Sequence, residues 1–346
     1  MSLISIALLL AVSDTTAFGQ APTPLLTQPP DKLIAILKSD AGHKEKADAC
    51  RQLAVIGTKE AVAPLASLLE DEKLSHMARY ALETIPDPAA AEALRGALGK
   101  LKGRPLVGVI GSLGVRRDAN AVEALAKFLV NSDAEVAQGA ARALGSIGTS
   151  AAAKSLDAAL AAASAGTQVA FCEGLLRCAE ALAARGERDE AIKIYDRLRG
   201  LAGPHQVRAG SLRGAILLRQ KEGLPLLRQA LRSEDFILVG AAARTAMEMP
   251  GGEVTQALLT ELKPAPANNQ ILIIQALGKR GDRAATDSLC ALAKSGEKSV
   301  RLAAIRALAE IGDATAAPIL AELEKDADPT ISAAAMEGRA ALPGQK

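Results

Sequence analysis

Apolar and polar residues alternate along this chain with a helical period, most clearly in VRLAAIRALAEIGDATAAPIL, from Val300 to Leu320. Counted back from Gly312, the residues Val300, Ala304, Ala307, Leu308 and Ile311 fall within about 100° of one another on a wheel of 3.6 residues per turn. That stripe predicts a helix with one buried face. The Gly-Asp pair after it predicts a turn, because glycine accepts the left-handed conformation that commonly ends a helix. A second helix is then expected from Ala314 to Lys325. No long alternating β-branched stretch competes, so the chain is read as all-α.

The same grammar returns upstream, with turns at Gly57, Pro86, Gly114, Gly148, Gly186, Arg219, Pro250 and Gly281. From 57 to 312 the mean interval is about 32 residues, in the range of stacked helical repeats. Val207-Arg208 aligns with Val300-Arg301, Leu212-Arg213 with Ile305-Arg306, and Pro225-Leu226-Leu227 with Pro318-Ile319-Leu320. Each unit is expected to be two helices around the turn. The helix before it opens after cap-like residues such as Asp133, Ser299 and Asp328-Pro329. A pair of this size cannot cover its own apolar stripes, so about ten pairs must stack over residues 31–342, with Ala and Gly letting the axes approach closely. At the far end, Ile331 to Leu342 repeats the pattern but puts Arg339 where Leu308 stands, as suits a terminal cap.

The run V-R-x-x-A-x-x-A-L-x-x-I-G-D at 300–313, with cousins VAQGAARALGSIG at 136–148 and ADACRQLAVIG at 47–57, resembles the HEAT-like repeats, particularly the short kind named after phycobilisome lyases. The resemblance covers nearly all of 31–342 and implies an α-solenoid, a right-handed superhelix of stacked antiparallel helix pairs. Residues 167–206 depart from it. There CAEALAARGERDEAIKIYDRL looks like a tetratricopeptide pair, with Gly186 at the turn and Ala191 and Tyr195 following. The resemblance says little of function, because the same repeat scaffolds many unrelated tasks.

Composition sharpens this picture. Of 346 residues 49% are hydrophobic but only 2% aromatic, so burial must come from Ala, Leu, Ile and Val. Lys and Arg total 41 against 39 Asp and Glu, which leaves no basic excess to suggest nucleic acid. Residues 1–19 hold an apolar run from Leu3 to Val12 and a small-x-small sequence at Ala17-Phe18-Gly19, as in a secretory signal cut after Gly19, although no Lys or Arg precedes the run. The run is too short to span a bilayer, so the mature chain is expected to be exported, periplasmic or extracellular, with no membrane span. Pro22, Pro24, Pro29 and Pro30 predict an extended linker over 20–30, and 343–346 a disordered tail. Cys172 and Cys178 are six apart on one predicted helix, out of bridging range, and Cys50 and Cys290 lie in distant repeats. All four are read as small buried hydrophobes.

Candidate chemistry is sparse. HEAT-like deoxyhypusine hydroxylases bind iron through His-Glu pairs, whereas His43, His76 and His205 here precede Lys, Met and Gln. Phycobilin lyases need a bilin pocket, for which aromatic residues are too few. No Gly-rich phosphate loop, G-x-S-x-G or H-E-x-x-H occurs. Asp189-Glu190 and Glu70-Asp71-Glu72 sit at helix ends, where charge is solvated. No metal, cofactor or catalytic residue is therefore expected. The feature that stands out is a column of Arg51, Arg142, Arg213, Arg244 and Arg306, each six residues before a turn and about 220° from the middle of the apolar stripe. In HEAT-like stacks that face tends to line the concave, inner side. Such arginines either dock an acidic protein partner through forked hydrogen bonds or tie one repeat to the next. Arg104, Arg116 and Arg117 suggest a further basic patch. The expected function is a non-catalytic binding scaffold for a protein partner. A HEAT-type lyase or hydroxylase, and a nucleic-acid binder resembling HEAT-like DNA glycosylases, stand as the alternatives.

Overall fold

The helix Lys298–Ile311 shows how the sequence becomes structure. Val300, Ala304, Ile305, Ala307 and Leu308 are buried, and Gly312 ends the helix in the left-handed region at φ 67°. Asp313 then accepts a hydrogen bond from the backbone N–H of Thr315 at 3.1 Å, which starts the next helical segment. Ile311 is only half-buried, because the chain is already turning towards solvent there.

The computed structural model describes residues 28–201 and 203–344; the expected leader, most of the proline-rich segment and the last tail residues lie outside them. All regular structure among the described residues is helical, and the fold is of the α-solenoid kind, with helix pairs stacked on one another within each compact unit. The chain divides into two compact units, up to Ala90 and from Ala91 onward. In the first unit, the helices Pro30–Lys38, His43–Ile56, Lys59–Ala66 and Ser75–Thr84 close over Leu33, Leu37, Cys50, Leu53, Leu65 and Leu82. In the second, each helix before a turn packs on its counterpart in the next repeat. Gly103–Val115 meets Ala134–Ile147, which meets Ala165–Ala184. From His205–Arg219 the succession continues through Phe236–Glu248, Ala267–Arg280 and Lys298–Ile311 to Pro329–Ala340.

These helices approach through small residues, as the Ala-rich stripe predicts. A β-carbon on Gly174 would lie 2.7 Å from the carbonyl oxygen of Ala141, and one on Gly145 2.7 Å from Cα of Gly174. Only hydrogen fits at that crossing. The tetratricopeptide-like unit appears as the longer helix Ala165–Ala184 and the helix Arg188–Arg199. Ala179, Leu182, Ala191, Tyr195 and Ala215 form their own small core there, and the Tyr195 ring occupies the space over Gly214.

Three local expectations are corrected. Gly57 is extended at φ −67°, and its requirement is space: a β-carbon would meet the Leu53 carbonyl and the Ile85 side chain. Gly114 lies within its helix, pressed against the Ala143 backbone, and the left-handed residue that ends the helix is Arg117 at φ 50°. Ser299 is not a cap. The helix begins one residue earlier, at Lys298, whose ammonium reaches the Asp328 carboxylate at 2.6 Å. Asp133 and Asp328 do cap, each accepting from a backbone N–H two residues on. Half-buried Arg339, in the place of a core leucine, is neutralised by Glu324.

Candidate functional site

The five column arginines are all exposed, as the helical wheel requires, but they do not behave alike. Arg51, in the first unit, pairs within its own helix with Asp48 at 2.6 Å. In the second unit Arg213 spans two repeats: its Nε and Nη2 donate to the two carboxylate oxygens of Glu248 at 2.8 and 2.5 Å. This fork holds the Glu248 carboxyl below the usual carboxylate range and raises the Arg213 guanidinium. The guanidinium groups of Arg142, Arg244 and Arg306 make no ion pair or hydrogen bond among the described residues. Thus one arginine is a rung between repeats, one is a local pair, and three present uncompensated charge to solvent.

Further arginines outside the column also tie repeats together. Arg208, aligned with Arg301, donates to Asp235 at 2.9 Å, the residue that caps the next helix before a turn. Arg301 donates to the Ala293 carbonyl at 2.8 Å and pairs with Asp326. Arg280 donates to the carbonyls of Ala246, Met249 and Gly251, the last two at 2.6 and 2.8 Å, closing the end of the preceding repeat. Arg228 and Arg232 converge on Glu261, whose side chain is 1% exposed; the Arg232 fork is the main reason its carboxyl stays ionised below the usual range. The Val-Arg recurrence at 207–208 and 300–301 carried the signal for the first two. Nothing local marks the others, whose partners lie about a repeat away.

The remaining candidates do not converge. His43, His76 and His205 are exposed in the first turns of separate helices, and among the described residues no group of three or more His, Cys, Asp or Glu side chains could hold a metal ion. Arg104 opens the helix Gly103–Val115 and Arg116 and Arg117 follow its end, about 18 Å away along the axis, so the three do not form one patch. Cys50, Cys172 and Cys178 are buried and Cys290 half-buried, all as free thiols. Burial pushes Cys50 up to about 11 and Cys178 to about 12, so neither is a ready nucleophile. No described helix is long and apolar enough to cross a membrane.

The family model for HEAT repeats matches residues 30–103, 107–171 and 255–338. The unmatched interval between the last two contains most of the tetratricopeptide-like pair. Among curated proteins, none matches this chain. Among solved structures, the karyopherin Kap121p is similar, with a TM-score of 0.53 at 14% identity over 90% of this chain and 41% of that one. Kap121p bound to Nup53p gives a TM-score of 0.53 at 14% identity over 92% and 42%. The chain thus spans well under half the length of this neighbour, and at such identity the likeness shows the fold alone.

Proposed function

We propose, on the premise that this chain belongs to the HEAT-repeat family, that it is a non-catalytic scaffold in an extracytoplasmic compartment. It takes a protein partner on the exposed face of the helices that precede the turns in its second unit. The observation that carries this is the division among arginines. Those at 208, 280 and 301 are consumed within the fold, while Arg142, Arg244 and Arg306 stand exposed without a counter-charge among the described residues. An arginine that ties one repeat to the next needs an acceptor within hydrogen-bond reach, and these three have none among the described residues, which leaves their forked donors available to a partner. Kap121p, which shares the fold, is found bound to Pho4p and to Nup53p, so a stack of this kind can hold a protein. The extracytoplasmic setting rests on the leader-like residues 1–19.

The test is affinity capture from the extracytoplasmic fraction with the intact chain, beside a variant carrying Arg142→Ala, Arg244→Ala and Arg306→Ala. Capture of one defined partner by the parent, weakened about tenfold or more in the variant, is expected. The variant should melt as the parent does, because exposed substitutions away from such contacts change stability by about 0.5 kcal/mol or less. A partner held equally by both forms, or the chain recovered in the cytoplasm with residues 1–19 intact, would overturn it.

A further inference from the structure

Resting on that scaffold reading, one part of the face has a chemistry of its own. Arg244, Gln275 and Arg306 follow one another at intervals of 31 residues on the helices Phe236–Glu248, Ala267–Arg280 and Lys298–Ile311, all three exposed. Beside them runs an apolar strip in which Leu272 and Leu302 are only half-buried against the core. Gly240 joins the two rows. The Arg244 guanidinium folds back to 3.5 Å from where a β-carbon on Gly240 would sit, and the Leu272 side chain reaches within 3.8 Å of the same point. The row nearest the turns is already neutral, since Glu248 is held by Arg213 and Glu310 by Lys279 at 3.0 Å. Arg306 lines an open groove with Leu302 and Glu337, and Glu337, on the next helix, has no ion-pair partner among the described residues.

We infer that Gly240, Arg244, Leu272, Gln275, Leu302 and Arg306 receive an extended acidic peptide segment of a protein partner. Two carboxylates of the segment meet Arg244 and Arg306, apolar side chains between them lie on Leu272 and Leu302, and the Gln275 amide bonds to its backbone. The spacing sets the length. Two helix-to-helix steps of about 8–10 Å carry the segment from Arg244 to Arg306, which an extended chain covers in about six residues at 3.3 Å each. Residues two apart share one side of a strand, so the two acids and the apolar residues between them can all face the protein. Charge decides the sign, because both arginines lack an ion-pair partner among the described residues and the acids in the row beside them, Glu248 and Glu310, are already paired, which leaves Glu337, 31 residues on from Arg306, as the unpaired acid of the groove.

The test uses the full chain and a fluorescein-labelled peptide, Asp-Ser-Leu-Ser-Leu-Ser-Asp, followed by anisotropy at low salt, beside Lys-Ser-Leu-Ser-Leu-Ser-Lys. Binding of the acidic peptide alone is expected, about tenfold weaker in the Arg244→Ala, Arg306→Ala double variant, the loss expected for two charge-assisted contacts. Glu337→Gln should tighten it by removing a like charge from the groove, and Arg177→Ala, an exposed arginine on an earlier helix, should leave it unchanged. Equal binding of the lysine peptide, or a double variant that melts normally and binds the acidic peptide as the parent does, overturns the inference. A partner captured through Arg142 that the acidic peptide does not displace would overturn it while leaving the scaffold standing.

Discussion

Thr286 donates its hydroxyl hydrogen to the Asp313 carboxylate at 2.9 Å, joining the second helix of one repeat to the turn of the next. One repeat earlier Asp282 likewise starts its helix by accepting from the Ala284 N–H at 3.0 Å, and Thr255, whose hydroxyl accepts from Arg280 Nε at 3.2 Å, helps hold the Asp282 carboxyl below its usual range. Asp313 thus both starts its own helix through a backbone N–H and fastens the repeat before it through a threonine.

These bonds give the stack an acid limit. Backbone N–H donors and the threonines hold Asp282 and Asp313 below the usual carboxylate range, Arg301 does the same for Asp326, and Lys298 for Asp328. A depressed folded-state pKa contributes stability that is fully present above the unfolded value, near 4, and is lost as pH falls through the folded value. Melting followed by circular dichroism should therefore be nearly level from neutral pH to about 5 and fall steeply below about 4. Thr286→Val should melt lower at neutral pH and show a shallower acid decline, because Asp313 then has less to lose.

The glycine crossing gives opposite results at two positions. Gly174→Ala gains about 1 kcal/mol of helix propensity but drives a β-carbon to 2.7 Å from a backbone carbonyl, so a net loss of about 1–3 kcal/mol is expected. Gly111→Ala, exposed in its helix with nothing within 4 Å, should instead stabilise by about 0.8–1 kcal/mol. Urea denaturation of the two variants distinguishes them.

Leu308 is fully buried in the core that runs from Leu212 to Leu342. Leu308→Ala should cost about 2–5 kcal/mol, and Leu308→Asp more, since its charge would have no partner. Stacked repeats share stability with their neighbours, so hydrogen exchange should rise first in 267–340, ahead of residues 28–90.

Thiol reactivity should follow exposure. Under native conditions iodoacetamide should label half-buried Cys290 first, and Cys50 and Cys178 only as the chain opens, because burial both shields them and suppresses the thiolate. Peptide mass spectrometry over time reads the order.

The sequence alone determined the helix pairs, their stacking and which face of each helix is wet. Those properties follow from a 3.6-residue apolar period and from the inability of one pair to bury both its stripes, and each is a local pattern repeated along the chain. It therefore placed Val300, Ala304 and Leu308 in the core and all five column arginines outside it. Tertiary structure decided what those arginines do. Arg213 meets Glu248, 35 residues on, while Arg142, Arg244 and Arg306 meet no acid among the described residues. No local pattern separates these cases, because the register of neighbouring repeats sets which side chains come within hydrogen-bond reach. The same register made Gly57 and Gly114 matters of space, and turned Thr286 and Asp313 into a joint.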